Sequence, residues 1–277
     1  MHPVPAGGAA RSRRWGPAAV ALVASVVVVD LLLLGGNVAH YASNDPGETV
    51  TRFGGPSWNG DLDGSFVEIV GHAQVVATAV VLIVVALFRR AAVHAAWALA
   101  FTGLFLDDFL QGHERLGSLL AVAWSLPAVG GLRAQDLGEV LAWGAEAVVL
   151  GLVVAVATAF SSPRGRRDSL VLLGCMVVIA IFGVGVDQAH IVLEPHLPHL
   201  AVIGVTLTET TGELGGMSLA LLAAARMLTP STAEPAGAAE PDGTAEPAGT
   251  AEPARTAEPD GTAEPAGRED QGAAGAI

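Results

Sequence analysis

Residues 65–90 read SFVEIVGHAQVVATAVVLIVVALFRR, and this stretch decides the fold class. From Val75 to Phe88 it is apolar apart from one threonine. A helix that crosses the hydrocarbon core of a bilayer needs about 20 predominantly apolar residues. The stretch therefore predicts a transmembrane helix, with Glu68 and His72 in its first turns. An ionisable side chain within a membrane costs about 2.5–3.5 kcal/mol on insertion scales, so both residues require a reason to be there.

Five further apolar stretches extend this pattern along the chain. The six predicted spans are residues 17–35, 65–88, 91–110, 137–160, 169–190 and 201–228. The first resembles a signal peptide in its basic start, but its apolar run continues past Asp30, which favours a retained helix. Residues 116–132 are also apolar but short, and Pro127 interrupts them. We predict that they form an outer interfacial or re-entrant helix.

Arginine clusters orient the six spans. Basic residues are enriched in the cytoplasmic loops of membrane proteins. With six spans, one side of the membrane receives every cluster: Arg11, Arg13 and Arg14; Arg89 and Arg90; Arg164, Arg166 and Arg167; and Arg226. This agreement predicts an all-α polytopic helix bundle whose N- and C-termini are both cytoplasmic. Residues 1–16 would form a cytoplasmic arm, and residues 17–228 the transmembrane bundle.

Residues 229–277 differ sharply from the rest of the chain. Ala-Glu-Pro recurs every six residues from Ala233 to Ala263, and acidic residues outnumber arginines. A proline in every repeat opposes a helix, and the segment has almost no apolar surface to bury. We predict a disordered acidic tail.

The overall composition excludes several classes of protein. Hydrophobic residues make up 52% of the 277 residues and charged residues only 15%, against about 25% in soluble domains. A net charge of −13 argues against nucleic acid as a partner. The single cysteine, Cys175, excludes an internal disulfide framework and a CxxC metal site. Arginine without lysine, among abundant Ala, Val and Gly, suggests a high-GC bacterial genome. We therefore expect a multi-pass protein of the bacterial plasma (inner) membrane.

Polar residues, all of them ionisable except Gln111, recur in five of the spans at separations that place them on one helix face. These sets are Glu68 and His72; Asp107, Gln111 and Glu114; Glu139 and Glu146; Asp187 and His190; and Glu209 and Glu213. The predicted topology places all of them toward the outer side of the membrane. We expect one polar site there. Its members predicted to converge on a common point are Glu68, His72, Asp187, His190 and Glu213.

A metal site is the most economical explanation for this cluster, because facing carboxylates repel one another unless protons or a cation neutralise them. The predicted metal ligands are Glu68, His72, Asp107, His113, Glu114, Asp187 and His190, and the predicted catalytic residues are Glu209 and Glu213. These ligand types suit zinc or iron. The protein would then be a metal-dependent membrane enzyme acting on a lipid-like substrate. A proton- or cation-coupled transporter and a structural or assembly subunit remain alternatives, and the oligomeric state is open.

Two resemblances bear on this cluster. Residues 106–116, LDDFLQGHERL, resemble a segment of uncharacterised bacterial multi-pass membrane proteins, in which an Asp is followed after five residues by His-Glu. That resemblance implies that Asp107, His113 and Glu114 belong together. Glu68 and His72, followed by Asp107, are also similar to the membrane hydrolases related to alkaline ceramidases, which hold zinc with three histidines. Glu209 and Glu213 stand where the final-span histidines of that superfamily would be.

Overall fold

The computed structural model describes residues 16–43 and 52–229, and 84% of these residues are helical. No β-strand occurs within these two ranges, so the all-α prediction is confirmed for them. The helices are α1 (Pro17–Ser43), α2 (Phe66–Arg89), α3 (Ala92–Phe109), α4 (Gly112–Ala123), α5 (Ala134–Ala159), α6 (Pro163–Ala180), α7 (Asp187–Leu193) and α8 (His199–Met227). A π-helical turn (Ile181–Val186) joins α6 to α7, and short 3-10 turns occupy Pro56–Trp58 and Glu194–His196. The predicted acidic tail and most of the N-terminal arm lie outside the described residues.

Four helical segments are long and apolar enough to cross a membrane: Pro17–Ser43, Phe66–Arg89, Ala134–Ala159 and Pro163–His196. A fifth crossing arises if α3 and α4, which meet at an angle of 70°, together form one span. Helix α8 does not meet the same criterion of length and composition, although it has 29 residues. The described residues thus support four or five candidate spans, and the six-span topology stays a prediction.

The predicted short outer helix begins earlier than expected. Helix α3 ends at Phe109, and Gln111 adopts a left-handed conformation with φ of 52°. Helix α4 then runs over Gly112–Ala123 and ends before Pro127. The expectation that Gln111 and Glu114 continue the helical face of Asp107 is therefore wrong, because the helix axis breaks between them.

The apolar core lies in the half of the bundle that contains the end of α2 and the start of α3. Leu82, Phe101 and Leu172 are fully buried there, and residues of α8 complete the cluster. The local sequence starts and stops these helices. Ser162 accepts a hydrogen bond from the Gly165 N–H at 3.2 Å, and Pro163 occupies the first turn of α6.

A group of charged residues, here called the inner cluster, closes the same end of the bundle. Arg89 at the end of α2 donates to Asp168 Oδ2 at 2.7 Å and also to the carbonyl of Met227. His94 Nε2 lies 3.2 Å from the same Asp168 oxygen, and only 2% of the histidine is exposed. The inner cluster therefore ties α2, α3, α6 and α8 together at one end.

Candidate functional site

The N-terminus of α2 positions Glu68 and His72 one helical turn apart. Ser65 caps the helix and accepts from the Glu68 N–H at 3.2 Å, while the Glu68 carboxylate Oε2 accepts from the Gly64 N–H. The Glu68 carboxylate thus bonds to the backbone just before the helix, which gives Glu68 a local structural role at the start of α2. Its other oxygen, Oε1, lies 3.8 Å from His72 Nδ1. One carboxylate oxygen thus caps the helix and the other faces the histidine.

His72 forms the centre of a compact group with residues of two helices. Its Nε2 lies 2.6 Å from Asp108 Oδ2 at the end of α3. Ligand atoms of Glu68, His72 and Asp108 all lie within 4.8 Å of one another, close enough for the three side chains to reach a single metal ion. Phe105 and Phe109 approach the imidazole ring edge-on, with centroids at 5.5 and 6.2 Å. These rings hold the histidine orientation, so the three side chains form a defined triad.

Asp107, the neighbour of Asp108, belongs to a different pair. Successive residues of a helix point about 100° apart, so the two carboxylates diverge. Asp107 Oδ2 lies 2.8 Å from His113 Nδ1 on α4. The His113 ring in turn packs on Trp143 of α5, with centroids 4.4 Å apart. The resemblance implied that Asp107 and His113 belong together, and the structure places them in direct contact.

The π turn and α8 supply the deeper acidic residues. A Cβ at Gly183, within the turn, would lie 2.8 Å from Glu213 Oε1, so the glycine lets this carboxylate approach the turn in its present position. A π turn widens the helix locally and is frequently found at functional sites. Glu209 Oε2 lies 3.6 Å from His190 Nδ1. Both this oxygen and His190 Nε2 are buried and lack a hydrogen-bond partner among the described residues.

Residues 52–65, which precede α2, pack on α1 and bring two more aspartates to the site. The Trp58 ring packs against Gly36 of α1, where any side chain would collide with it. The Gly60 N–H donates to Asn37 Oδ1 at 3.1 Å, which fixes the segment on the helix. This anchoring carries Asp61 and Asp63 to the ends of α2 and α3.

These elements enclose a cavity of about 410 Å³. Nine carboxylates line it: Asp61, Asp63, Glu68, Asp108, Glu114, Glu139, Asp187, Glu209 and Glu213. His72, His113 and Arg133 are the basic residues among its lining. Asp136, which is fully buried, accepts hydrogen bonds from Arg133 at 2.6–3.1 Å, and this pairing raises the pKa of Arg133. Since Arg133 is already paired, the cavity retains a large excess of negative charge.

The structure brings most of the nine predicted site residues to this one cavity. Those that line it are Glu68, His72, His113, Glu114, Asp187, Glu209 and Glu213. Asp107 and His190 do not line it, but each contacts a residue that does. Fewer residues come within ligand distance of one another than the five that were predicted to converge on a common point. Among the described residues, the group within this distance consists of Glu68, His72 and Asp108. Asp187, His190 and Glu213 do not belong to it.

Sequence reasoning did not select Asp108, Asp61, Asp63 or Glu139 as site residues. Asp108 adjoins Asp107, and the sequence gives no means to decide which of two consecutive carboxylates faces His72. Asp61 and Asp63 stand in the short motif Asp-Leu-Asp-Gly, which was the available signal. Glu139 is 9% exposed and lies in the second turn of α5. An acidic residue near the start of a helix also interacts favourably with the helix dipole.

Comparison with known proteins places the chain in a family. No curated protein and no solved structure matches it. The family described as a domain of unknown function (DUF8692) matches residues 18–228, a range that holds every residue of the cavity. The predicted membership of an uncharacterised family is thus confirmed. The match does not test the bacterial origin or the Asp and His-Glu motif. The chain belongs to the family of the domain of unknown function DUF8692.

Proposed function

We propose that this protein is an integral membrane protein of the bacterial plasma membrane that binds a divalent metal ion, zinc or iron, in its acidic cavity. In this proposal six helices cross the membrane, with both termini in the cytoplasm. Helix α8 supplies the sixth crossing, since its 29 residues extend over about 43 Å. The cavity then opens toward the outer face, and membrane lipids surround the bundle.

The observation that carries the proposal is the triad of Glu68, His72 and Asp108. It offers one imidazole nitrogen and two carboxylate oxygens within 4.8 Å of one another. Histidine with carboxylates is a donor set that zinc and ferrous iron accept, whereas copper(I) prefers sulfur. The remaining acids of the cavity lower the local potential and favour a cation there. A bound cation would in turn relieve the repulsion among these carboxylates.

The arrangement supports metal-dependent hydrolysis of a membrane-derived substrate. A metal ion at the triad would lower the pKa of a coordinated water. Glu213, held against Gly183, faces the same cavity and is the proposed general base; Glu209 is the second candidate. Asp187 and His113 line the same cavity and would help to position the substrate.

Elemental analysis by plasma mass spectrometry tests the proposal. Wild-type protein purified without chelator should contain about one zinc or iron per chain, and His72→Ala should lose it. His94→Ala is the matched control, because His94 also pairs with an aspartate but belongs to the inner cluster. Folded wild-type protein without metal, or equal loss from both variants, would contradict the proposal.

A second candidate function, cation-coupled transport, rests on a different observation. Asp30 of α1 accepts from Gln74 at 3.0 Å and from Ser218 at 2.5 Å. These donors lie about half a turn beyond His72 and about one and a half turns beyond Glu213 along their helices. A half-buried carboxylate beyond the cavity, within an apolar helix, is typical of an ion path. Uptake of radioactive zinc into proteoliposomes, lost in Asp30→Asn, would favour this function over hydrolysis.

A further inference from the structure

The two walls of the acidic cavity formed by α5 and by the π turn with α7 do not pack on each other. Gln135, Glu139 and Trp143 line one wall, and Gly183 and Asp187 line the other. Helix α5 packs on α3 and α4, and Thr158 of α5 contacts Ser169 of α6 at the end remote from the cavity. Extended packing of α5 on α7 or α8 is absent from the described part of the chain. The space between the two walls, here called the lateral gap, is therefore not closed by packing of one of these helices on the other.

The loop before α5 covers this gap at one end. A Cβ at Gly131 would lie 3.4 Å from Val192 Cγ1, so the loop rests on α7. Gly131 itself has φ of 95°, a conformation that favours glycine and allows this close approach. The loop before α5 thus covers the gap at one end, while α5 and α7 do not pack on each other over the rest of it. In the proposed membrane orientation, the uncovered part of the gap faces the bilayer.

The charge of the cavity restricts what can occupy it. Nine carboxylates line it against one arginine that is already paired with Asp136. A single divalent cation at the triad would neutralise a minor part of this charge. Glu209 Oε2 is buried without a donor, which leaves a carboxylate oxygen of the cavity unsatisfied. An anionic headgroup such as a phosphate would be repelled, whereas a positively charged group would be attracted.

The size and the aromatic lining favour an organic cation beside the metal ion. A volume of about 410 Å³ lies within the range of about 300–1,000 Å³ that is usual for small-molecule sites and far exceeds the need of one ion. Trp143 lines the wall next to the gap, and His113 packs on one side of its ring. Tryptophan faces combined with carboxylates are a recurrent solution for binding ammonium groups.

We propose that the cavity binds the ammonium headgroup of a single- or double-chain amphiphile, which enters from the bilayer between α5 and the π turn. This inference rests on the proposed function and specifies the substrate class of the same site. Trp143 and Glu139 contact the headgroup from one wall, and Asp187 faces it from the other. The hydrocarbon chain lies in the gap and extends into the membrane.

Native mass spectrometry of the full chain, released from dodecyl maltoside micelles, tests this inference. The probes are dodecyltrimethylammonium, dodecyl phosphate with the same chain but an anionic head, and tetramethylammonium with no chain. We expect one dodecyltrimethylammonium per protein, bound at least about tenfold more tightly than either other probe. Trp143→Ala should weaken this binding about tenfold, since a desolvated cation–π contact is of that order. Trp143→Phe, which keeps an aromatic face, should retain most of it.

Trp124→Ala is the matched control, because Trp124 is 63% exposed and does not line the cavity. Its binding should equal that of the wild type. Equal binding of the phosphate probe would overturn the charge argument, and equal binding of tetramethylammonium would overturn entry from the bilayer. The metal content of the same samples separates this inference from the proposed function. Metal present without amphiphile binding overturns this inference alone, whereas absence of metal overturns the proposed metal site.

Discussion

The acidic cavity and the inner cluster lie at opposite ends of the same helices and contain the same kind of pair. In the cavity, His72 lies 2.6 Å from Asp108; in the inner cluster, His94 lies 3.2 Å from Asp168. Asp168 of the inner cluster also faces Arg89, which balances the charge of the aspartate. The cavity has nine carboxylates and no free arginine. A histidine–aspartate pair alone therefore does not identify a site; the unbalanced charge and the open volume around it do.

The largest expected effect comes from breaking the inner cluster. Asp168→Ala removes the partner of both the half-buried Arg89 and the buried His94. It should lower the free energy of unfolding by about 3 kcal/mol, the lower end for removal of one member of a buried ion pair, because the Arg89–Asp168 pair is partly exposed. Urea-induced unfolding of the protein in detergent measures it. Arg167 is the exposed residue next to Asp168. Arg167→Ala should change the free energy of unfolding by less than about 0.5 kcal/mol. A similar loss in both variants would contradict a structural role specific to the inner cluster.

Metal addition should stabilise the protein through the cavity alone. Zinc at about 100 times its Kd should raise the free energy of unfolding by about 2.7 kcal/mol, because it binds the folded state. The gain should persist in Asp168→Ala, although that variant starts from a lower stability, and should vanish in His72→Ala. A shift of the melting temperature with and without chelator measures it. Persistence of the gain in His72→Ala would place the metal elsewhere.

Gly183→Ala should perturb the cavity without unfolding the helix. The new Cβ would lie 2.8 Å from Glu213 Oε1, so this carboxylate must shift. We expect the metal affinity to fall by about tenfold, or about 1.4 kcal/mol. The rate of hydrolysis should fall as well, which can be measured once a substrate is known. Calorimetric zinc titration measures the affinity. Gly174→Ala on α6 is the control, since no atom lies within 4 Å of its Cβ. An unchanged affinity in Gly183→Ala would show that Glu213 does not act with the triad.

The smallest effect is expected at Asp30, between the two regions. Ser218→Ala removes one of its two hydrogen bonds and should lower stability by about 0.6 kcal/mol, the average for side-chain hydrogen bonds between membrane helices. Zinc affinity should equal that of the wild type, because Ser218 does not line the cavity. Loss of zinc binding in this variant would extend the site from the cavity to Asp30.

Much of the fold was predictable because each helix is encoded locally. Span boundaries at residues 65–88 and 91–110 agree closely with α2 and α3, since apolar length and the arginines that end α2 suffice to define them. The break at Gln111 was not predictable, because the left-handed residue is the glutamine and not the glycine that follows it at position 112. That break separates Glu114 from the helical face of Asp107.

The candidate site was predictable in its membership but not in its pairing. Helical spacing identified Glu68 with His72 and Glu209 with Glu213, because residues four apart share a face. It did not reveal that Asp108 rather than Asp107 contacts His72, since the choice depends on the rotation of α3 against α2. It included Glu139 in the expected polar cluster but did not predict that Glu139 forms a wall of the cavity, because its place there depends on how α5 packs on α4.

The sequence by itself determined that this chain forms apolar helices and that several of them carry carboxylates toward the same end. Hydrophobic length and helical periodicity are properties of each segment, so they require no knowledge of its neighbours. Only the tertiary structure decided which acids meet which histidines, and that the segment after α1 carries Asp61 and Asp63 to them. Those pairings arise from helix rotation, from the 70° bend after α3 and from the π turn before Asp187, each of which depends on packing between distant parts of the chain.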